Sequence, residues 1–235
     1  MNCIIPAAGK SLRFKFKKSK VLYKINKKTI IEKVFTKVNK FSNKIIIICN
    51  EENIKEIRKI LSKYKNNKIV YTIQKKQNGM ATAILDGLKF TNSINFFVVW
   101  ADMIYLNKKT IIKTIDTHLK EKNILTFPYH KIRNPYTFII RDRRGKFKNI
   151  LQKREVFFSH KTGENDCGFF VCNTKEVKKE LSKLVKNKKI ITRKTNEFDF
   201  LKSFKHLKKL GKISLIKANS KKETKGINFI KDIAK

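Results

Sequence analysis

Asn2 to Phe14 reads NCIIPAAGKSLRF: a short strand-like run, Asn2 to Pro6, opens into a loop of small residues, Ala7, Ala8 and Gly9, followed by Lys10 and Arg13. Small residues let backbone amides approach a ligand and the two cations offset its charge, an arrangement that suits a nucleoside triphosphate. The loop is neither GxGxxG nor GxxxxGK[ST], which argues against the dinucleotide and P-loop patterns. Working outward, the same kind of β-branched or aromatic run returns at Lys44 to Cys49, Ile69 to Gln74, Phe96 to Ala101 and Ile124 to Tyr129. Between these runs lie stretches of helical periodicity at Thr29 to Lys40, Met80 to Phe90 and Lys108 to Glu121. A further helix carries Ile54, Ile57, Ile60, Leu61 and Tyr64 on one face, with Asn50 as its expected N-cap and Glu51 and Glu52 at the positive end of its dipole. Strand and helix in alternation predict an α/β fold, a mostly parallel sheet covered by helices.

After Tyr129 the rhythm changes. Closely spaced strands at Thr137 to Arg141, Lys146 to Gln152 and Gly168 to Asn173, the first two joined by the turn sequence RDRRGK, predict a small antiparallel insertion. Helical stretches at Thr174 to Lys186 and Phe198 to Leu210, a strand at Ile213 to Lys217 and a terminal helix from Phe229 complete the reading. No internal repeat or linker tract interrupts it, so the 235 residues are expected to form one domain, with a nucleotide-binding half over 1–129 and a second half over 130–235.

Composition limits the function classes. With 57 Lys and Arg against 18 Asp and Glu, the formal charge is +39, and 41% of residues are apolar. That is enough apolar material for a core, which excludes a disordered basic tail. The charge attracts polyanions, yet 49 of the cations are Lys scattered along the chain and only 8 are Arg, and no recognition motif accompanies them, so nucleic-acid binding is not the expected role. The longest apolar runs, such as Ile45 to Cys49, fall far short of the roughly 20 residues a membrane helix needs. No signal-peptide pattern precedes the first strand, and a cytoplasmic protein is expected. Cys3, Cys49, Cys167 and Cys172 form no CxxC pair and read as buried thiols. His118, His130, His160 and His206 are scattered, with no GxSxG or HExxH spacing around them.

Asp102 closes the apolar run FFVVW and its neighbour Ala101, at the carboxyl end of an expected central strand, where open α/β sheets place their ligands. A strand-end Asp is equally suited to capping a turn, and Asn228, at the start of the expected last helix, to being an N-cap. Sequence position alone leaves both roles open.

The ordered set AAGK at Ala7 to Lys10, Arg13, KVL from Lys20, Gln74 with QNGMATA at Gln77 to Ala83, VVWAD ending at Asp102, GENDCG at Gly163 to Gly168, NEF at Asn196 to Phe198 and KGIN ending at Asn228 resembles the sugar-1-phosphate nucleotidylyltransferases. Among these the pattern is most similar to the uridylyltransferase domain that makes UDP-N-acetylglucosamine. The resemblance spans essentially the whole chain. It implies the three-layer, Rossmann-like sheet of nucleotide-diphospho-sugar (GT-A) type and transfer of a nucleotidyl group from an NTP, UTP first with CTP or dTTP as alternatives, to a sugar-1-phosphate.

Carried over residue by residue, the resemblance implies that Ala7, Ala8, Gly9, Gln74 and Gly79 meet the nucleotide, and that Arg13 and Lys20 are catalytic cations at the phosphates. It also implies that Asp102 and Asn228 hold Mg²⁺, and that Gln152, Lys153 and Asp166 meet the sugar phosphate. The chain departs from the family pattern at several positions. Ser11 and Leu12 stand for Gly and Thr, Ala101 for Gly, Gln152 for Glu, and Asp166 for Asn, so the sugar stays open.

Two other readings stand beside this one. A GT-A-like glycosyltransferase usually carries a DxD pair, whereas Asp102 is followed here by Met103 and Ile104. The other is a basic nucleic-acid-binding protein on a non-catalytic fold. The chain also ends soon after KGIN, so a stand-alone transferase without a hexapeptide-repeat domain is expected, while the oligomeric state stays open.

Overall fold

A computed structural model of the chain describes residues 1–9, 14, 18–64, 68–156, 161–229 and 232–233. The first half lays down β1 (Asn2–Pro6), a small β2 (Lys24–Ile25) and β3 (Lys28–Thr29) pair, α1 (Ile30–Val38), β4 (Lys44–Cys49), α2 (Ile54–Ser62), β5 (Ile69–Ile73), α3 (Met80–Leu88), β6 (Asn95–Val99) and α4 (Lys108–Lys120). The second half adds β7 (Leu125–Arg133), β8 (Thr137–Arg141), β9 (Phe147–Gln152), β10 (Thr162–Asp166), β11 (Phe169–Asn173), α5 (Thr174–Lys186), α6 (Phe204–Leu207) and β12 (Ile213–Lys217).

The main sheet has eight strands in the order β10-β7-β11-β6-β1-β4-β5, with β12 also paired to β7. β1 runs parallel to β4 and β6, and β4 parallel to β5. β11 enters antiparallel between β6 and β7. Strands from both halves of the chain therefore share one sheet.

Successive side chains of these strands point to opposite faces, and both faces are apolar, as expected for strands buried between two helical layers. Cys3, Ile5, Ile45 and Ile47 meet α1 and α2 through Val34, Phe35, Ile57 and Leu61. Ile4, Ile46 and Ile48 meet α3 and α5 through Ile84, Leu88, Val177 and Leu181. The expected three-layer α/β sheet is what forms. On the second face Phe127, Phe147, Phe170, Phe200 and Phe204 pack ring to ring, most pairs edge-on, with centroids 5.0–6.4 Å apart. Trp100 joins them from the end of β6, 5.0 Å from Phe170. No helix among the described residues is long and apolar enough to cross a membrane.

Four local readings change. The antiparallel insertion is the separate β8–β9 hairpin alone. The run expected as its third strand is β11, which belongs to the main sheet, because its alternating faces are both covered. β10 carries no apolar pattern, and it exists because it pairs with Tyr129–Arg133 of β7. Helix α2 starts after Asn53, not Asn50, and Glu56, not Glu51 or Glu52, is the acid of its first turn. The helix expected over Phe198 to Leu210 shrinks to a 3-10 turn at Leu201–Ser203 and the short α6. The terminal helix expected from Phe229 runs onto residues outside those described.

Candidate active site

The carboxyl ends of β1, β4, β5 and β6 gather at one edge of the sheet, the place where doubly wound sheets bind ligands. Ala7 and Ala8 lie buried at the end of β1, while Gly9 is exposed, with nothing within 4 Å of where a side chain would begin. Two asparagines hold this loop. Asn53 Nδ2 donates to Ala7 O at 2.8 Å and to Ser19 Oγ at 3.2 Å, and Asn50 Nδ2 donates to Ala8 O at 3.1 Å. Each also accepts the backbone N–H of the other at 2.9–3.0 Å. Both are fully committed to the loop, which is why neither side chain caps α2. Arg13, with Ser11 and Leu12, lies outside the described residues.

Gln74 follows β5 and is buried. Its Nε2 donates to Gly79 O at 3.1 Å and to Thr82 Oγ1 at 3.0 Å, so both amide protons are used inside the protein. What Gln74 can still offer is the lone pairs of Oε1. Gly79 has φ +124°, and a Cβ there would lie 2.4 Å from Phe198 O and 2.5 Å from Phe198 N. The loop before α3 is thus clamped against the NEF segment, with Phe198 N donating to Asn78 O at 2.7 Å and Ala81 N to Phe198 O at 3.0 Å.

At the end of β6, Lys20 Nζ reaches Asp102 Oδ2 at 2.7 Å, and each side chain keeps only 16% of its surface exposed. The KGIN segment closes on the same carboxylate. Ile227 N donates to Asp102 O at 3.2 Å, and a Cβ on Gly226 would fall 3.2–3.3 Å from the Asp102 carboxylate atoms. Asn228 follows directly, its N–H and that of Phe229 held by Asp232 Oδ2 at 2.8 and 2.7 Å.

The acceptor-side candidates divide. Asp166 is buried, and both its oxygens are engaged, Oδ1 by the Thr137 hydroxyl at 2.6 Å and Oδ2 by Gly168 N at 2.8 Å. Burial raises its pKa above the usual carboxylate value, and the Asp102 charge adds to the effect. Gln152 is buried at the end of β9, where its Nε2 donates to Asp199 Oδ2 at 2.5 Å. Lys153 is exposed, bonded through its backbone N–H to Tyr136 O at 2.8 Å. The geometry therefore brings Lys20, Asp102 and the KGIN segment together and sets Gln74 against Gly79, but leaves the Lys153 side chain in solvent. Asn53 and Asp199 escaped the sequence reading and Asn50 entered it only as a helix cap, because each acts across 42 to 47 residues of chain.

A carboxylate and an asparagine amide are oxygen donors of the kind that fits a hard divalent ion taking the rest of its ligands from phosphates and water. Among the described residues no group of three or more His, Cys, Asp or Glu side chains is placed to form an all-protein metal cage.

A family model for the MobA-like NTP transferase domain matches residues 3–162. The bifunctional protein GlmU of Buchnera aphidicola subsp. Schizaphis graminum is 33% identical over 193 residues, covering 81% of this chain and 41% of that protein. GlmU of Acetivibrio thermocellus is 24% identical over 237 residues, covering 97% and 50%. The chain thus spans at most half the length of these relatives. Among solved structures, one described as a glucose-1-phosphate thymidylyltransferase of Bacillus anthracis superposes with a TM-score of 0.77 at 17% identity, covering 93% of this chain and 87% of that one. A 4-diphosphocytidyl-2C-methyl-D-erythritol synthase of Anaerococcus prevotii superposes at 0.69 and 17%, covering 99% and 94%. At such identity these superpositions speak for the fold.

Proposed function

We propose, from the premise that this chain belongs to the MobA-like NTP transferase domain family, that it is a nucleotidylyltransferase joining an NTP to a sugar-1-phosphate. UTP is the first candidate, with dTTP and CTP as alternatives. An oxygen of the sugar phosphate attacks the α-phosphorus in line, a new P–O bond forms, the bond to the β-phosphate breaks and pyrophosphate leaves. No protein nucleophile is needed, so catalysis consists of positioning two anions and offsetting their charge. A cytoplasmic setting, where NTPs are supplied, goes with this reading.

The observation that carries the proposal is the Lys20–Asp102 pair at the carboxyl end of β6, closed over by Gly226 and Ile227. Lys20 has the reach of a mobile cation and can exchange Asp102 for a phosphate oxygen, and Arg13 is assigned to the same phosphates. Ala7, Ala8 and Gly9 offer a small-residue backbone edge to the nucleotide. Gln74, whose amide protons are both occupied, offers Oε1 to a donor on the base, which suits the N3–H of uracil or thymine. Gly79 keeps the adjoining loop closed on Phe198. Asp102 and Asn228 would hold Mg²⁺, which supplies charge neutralisation at the phosphates when bound. Gln152 and Asp166 shape the acceptor side, with Lys153 free to swing onto the acceptor phosphate.

The test is Mg²⁺-dependent pyrophosphate release from UTP, CTP, dTTP, GTP and ATP, each paired with several sugar-1-phosphates. Release that needs one NTP, one sugar phosphate and Asp102 is the expected result. An Asp102→Ala variant that folds and still turns over at the wild-type rate would refute the site, and no release from any pair would refute the activity.

A further inference from the structure

Asp199 is a buried carboxylate that the reaction above leaves without a task. It cannot turn away from its place, because its own N–H donates to Ile190 O at 2.9 Å and its Oδ1 takes Leu201 N at 2.9 Å. Its other oxygen accepts from Gln152 Nε2. Gln152 pairs across the β8–β9 hairpin with Thr137, whose hydroxyl holds Asp166, the residue that senses the Asp102 charge. On the other flank Phe198, the residue before Asp199, is clamped to Asn78 and Ala81 of the Gly79 loop. The Gln152–Asp199 pair thus lies between the two groups of residues assigned to the substrates.

We infer that Asp199 is a positioning residue that fixes the Gln152 amide with its carbonyl oxygen toward the acceptor side of the cleft. The subsite then takes a phosphorylated sugar or alcohol that offers a hydrogen-bond donor, a hydroxyl or an amide N–H, at that point. The inference deepens the nucleotidyl-transfer reading and rests on it.

The physical reason is the polarity of the two groups. A carboxylate only accepts, whereas a glutamine amide has one donating and one accepting end. Placing Nε2 on Asp199 turns Oε1 away from it, and among the described residues Oε1 accepts no hydrogen bond. Burial pushes the Asp199 carboxyl up to about 6, against the pull of the Leu201 N–H, Arg154 and Lys202, so at neutral pH it is mostly the accepting carboxylate. An oxygen presented in this way rejects an acceptor group placed opposite it, because two lone pairs would then meet without a proton between them.

The experiment measures KM for each substrate in wild type and three variants, together with thermal melting as the check on folding. Asp199→Asn frees the amide to flip, and the expected result is a KM for the sugar phosphate raised about tenfold with the KM for the NTP unchanged within twofold. Gln152→Glu sets two carboxylates together and should lower both the melting temperature and acceptor affinity. In the swapped double variant, Gln152→Glu with Asp199→Asn, an amide again donates to a carboxylate and an oxygen again faces the substrate. Melting temperature and acceptor KM should both return to within threefold or a few degrees of wild type.

A swap that restores neither, or an Asp199→Asn variant that shifts both KM values alike, overturns the inference while leaving nucleotidyl transfer in place. A wild-type protein that turns over no acceptor overturns the underlying reading, and the inference with it.

Discussion

Replacing Gly79 with Ala isolates the contact that joins the two sides of the cleft. The residue sits at φ +124°, a conformation that costs an L-residue about 1–3 kcal/mol. The added Cβ would also lie 2.4 and 2.5 Å from the backbone O and N of Phe198, and backbone atoms cannot rotate out of the way as a side-chain tip can. Reaching ordinary contact moves the two loops apart by about 1 Å, which breaks Phe198 N to Asn78 O and Ala81 N to Phe198 O. Each of these bonds contributes about 1 kcal/mol net. The combined loss is about 3–5 kcal/mol, a large part of the roughly 5–15 kcal/mol that holds a typical fold. Urea denaturation followed by far-ultraviolet circular dichroism measures it. With a slope near the upper end of the usual range, about 3 kcal/mol/M, the midpoint should fall by at least about 1 M at unchanged slope. Gly9→Ala serves as the control, since open space surrounds the Cβ position and stability should move by less than about 0.5 kcal/mol. A Gly79→Ala midpoint within experimental error of wild type would refute the reasoning.

Three further outcomes are expected. The Asp199 carboxyl is pushed up to about 6 by burial, so the folded state binds the extra proton and ionisation lowers stability as pH rises from about 4 to 6. Asp199→Asn should therefore gain about 1–3 kcal/mol at pH 7, a gain that disappears near pH 4 in urea titrations at the two pH values. The sign is opposite for His118, which burial pushes down to about 4 and whose Nδ1 lies 3.1 Å from Thr126 Oγ1 and Nε2 3.1 Å from Asn95 Oδ1. The stability from its neutral form is present above about pH 6.5 and is lost as pH falls toward 4, so His118→Gln should flatten that part of the melting-temperature profile. Lys20→Ala should cut kcat by about 10²-fold or more, as for loss of a charge-stabilising group, with unaltered melting. A loss of only several-fold would make Lys20 peripheral.

The parallel core was legible because its strands are buried on both faces and read as unbroken apolar runs, as KIIIIC of β4 does. β10 was not, since TGEND has no periodicity and its existence depends on a partner strand, β7, lying some thirty residues back. The stretch from Phe198 has helical periodicity, but its first backbone N–H groups are taken by Asn78 and Ile190 and the N–H of Leu201 by the Asp199 side chain, so a helix starts only later. At the candidate site, Lys20 and Asp102 were singled out by motif spacing, and the structure joins them. Asn50 was read as a helix cap from its local setting, whereas its partner is Ala8, reached through the folded sheet. Contacts of that range leave no trace in a local pattern.

The position of β11 has a consequence for a chain that emerges from the ribosome amino end first. β1, β4, β5 and β6 can assemble once Val99 has emerged, but the outer edge of β6 then stays open until Phe169–Asn173 arrives to pair with it. Asp102 waits longer still, because Gly226 and Ile227, which close over its carboxylate and main chain, are made more than a hundred residues after it. A nascent chain can thus hold a nearly finished sheet while Asp102 still lacks its cover. Translation that stalls before Gly226 yields a folded body without an assembled site rather than a partly active enzyme.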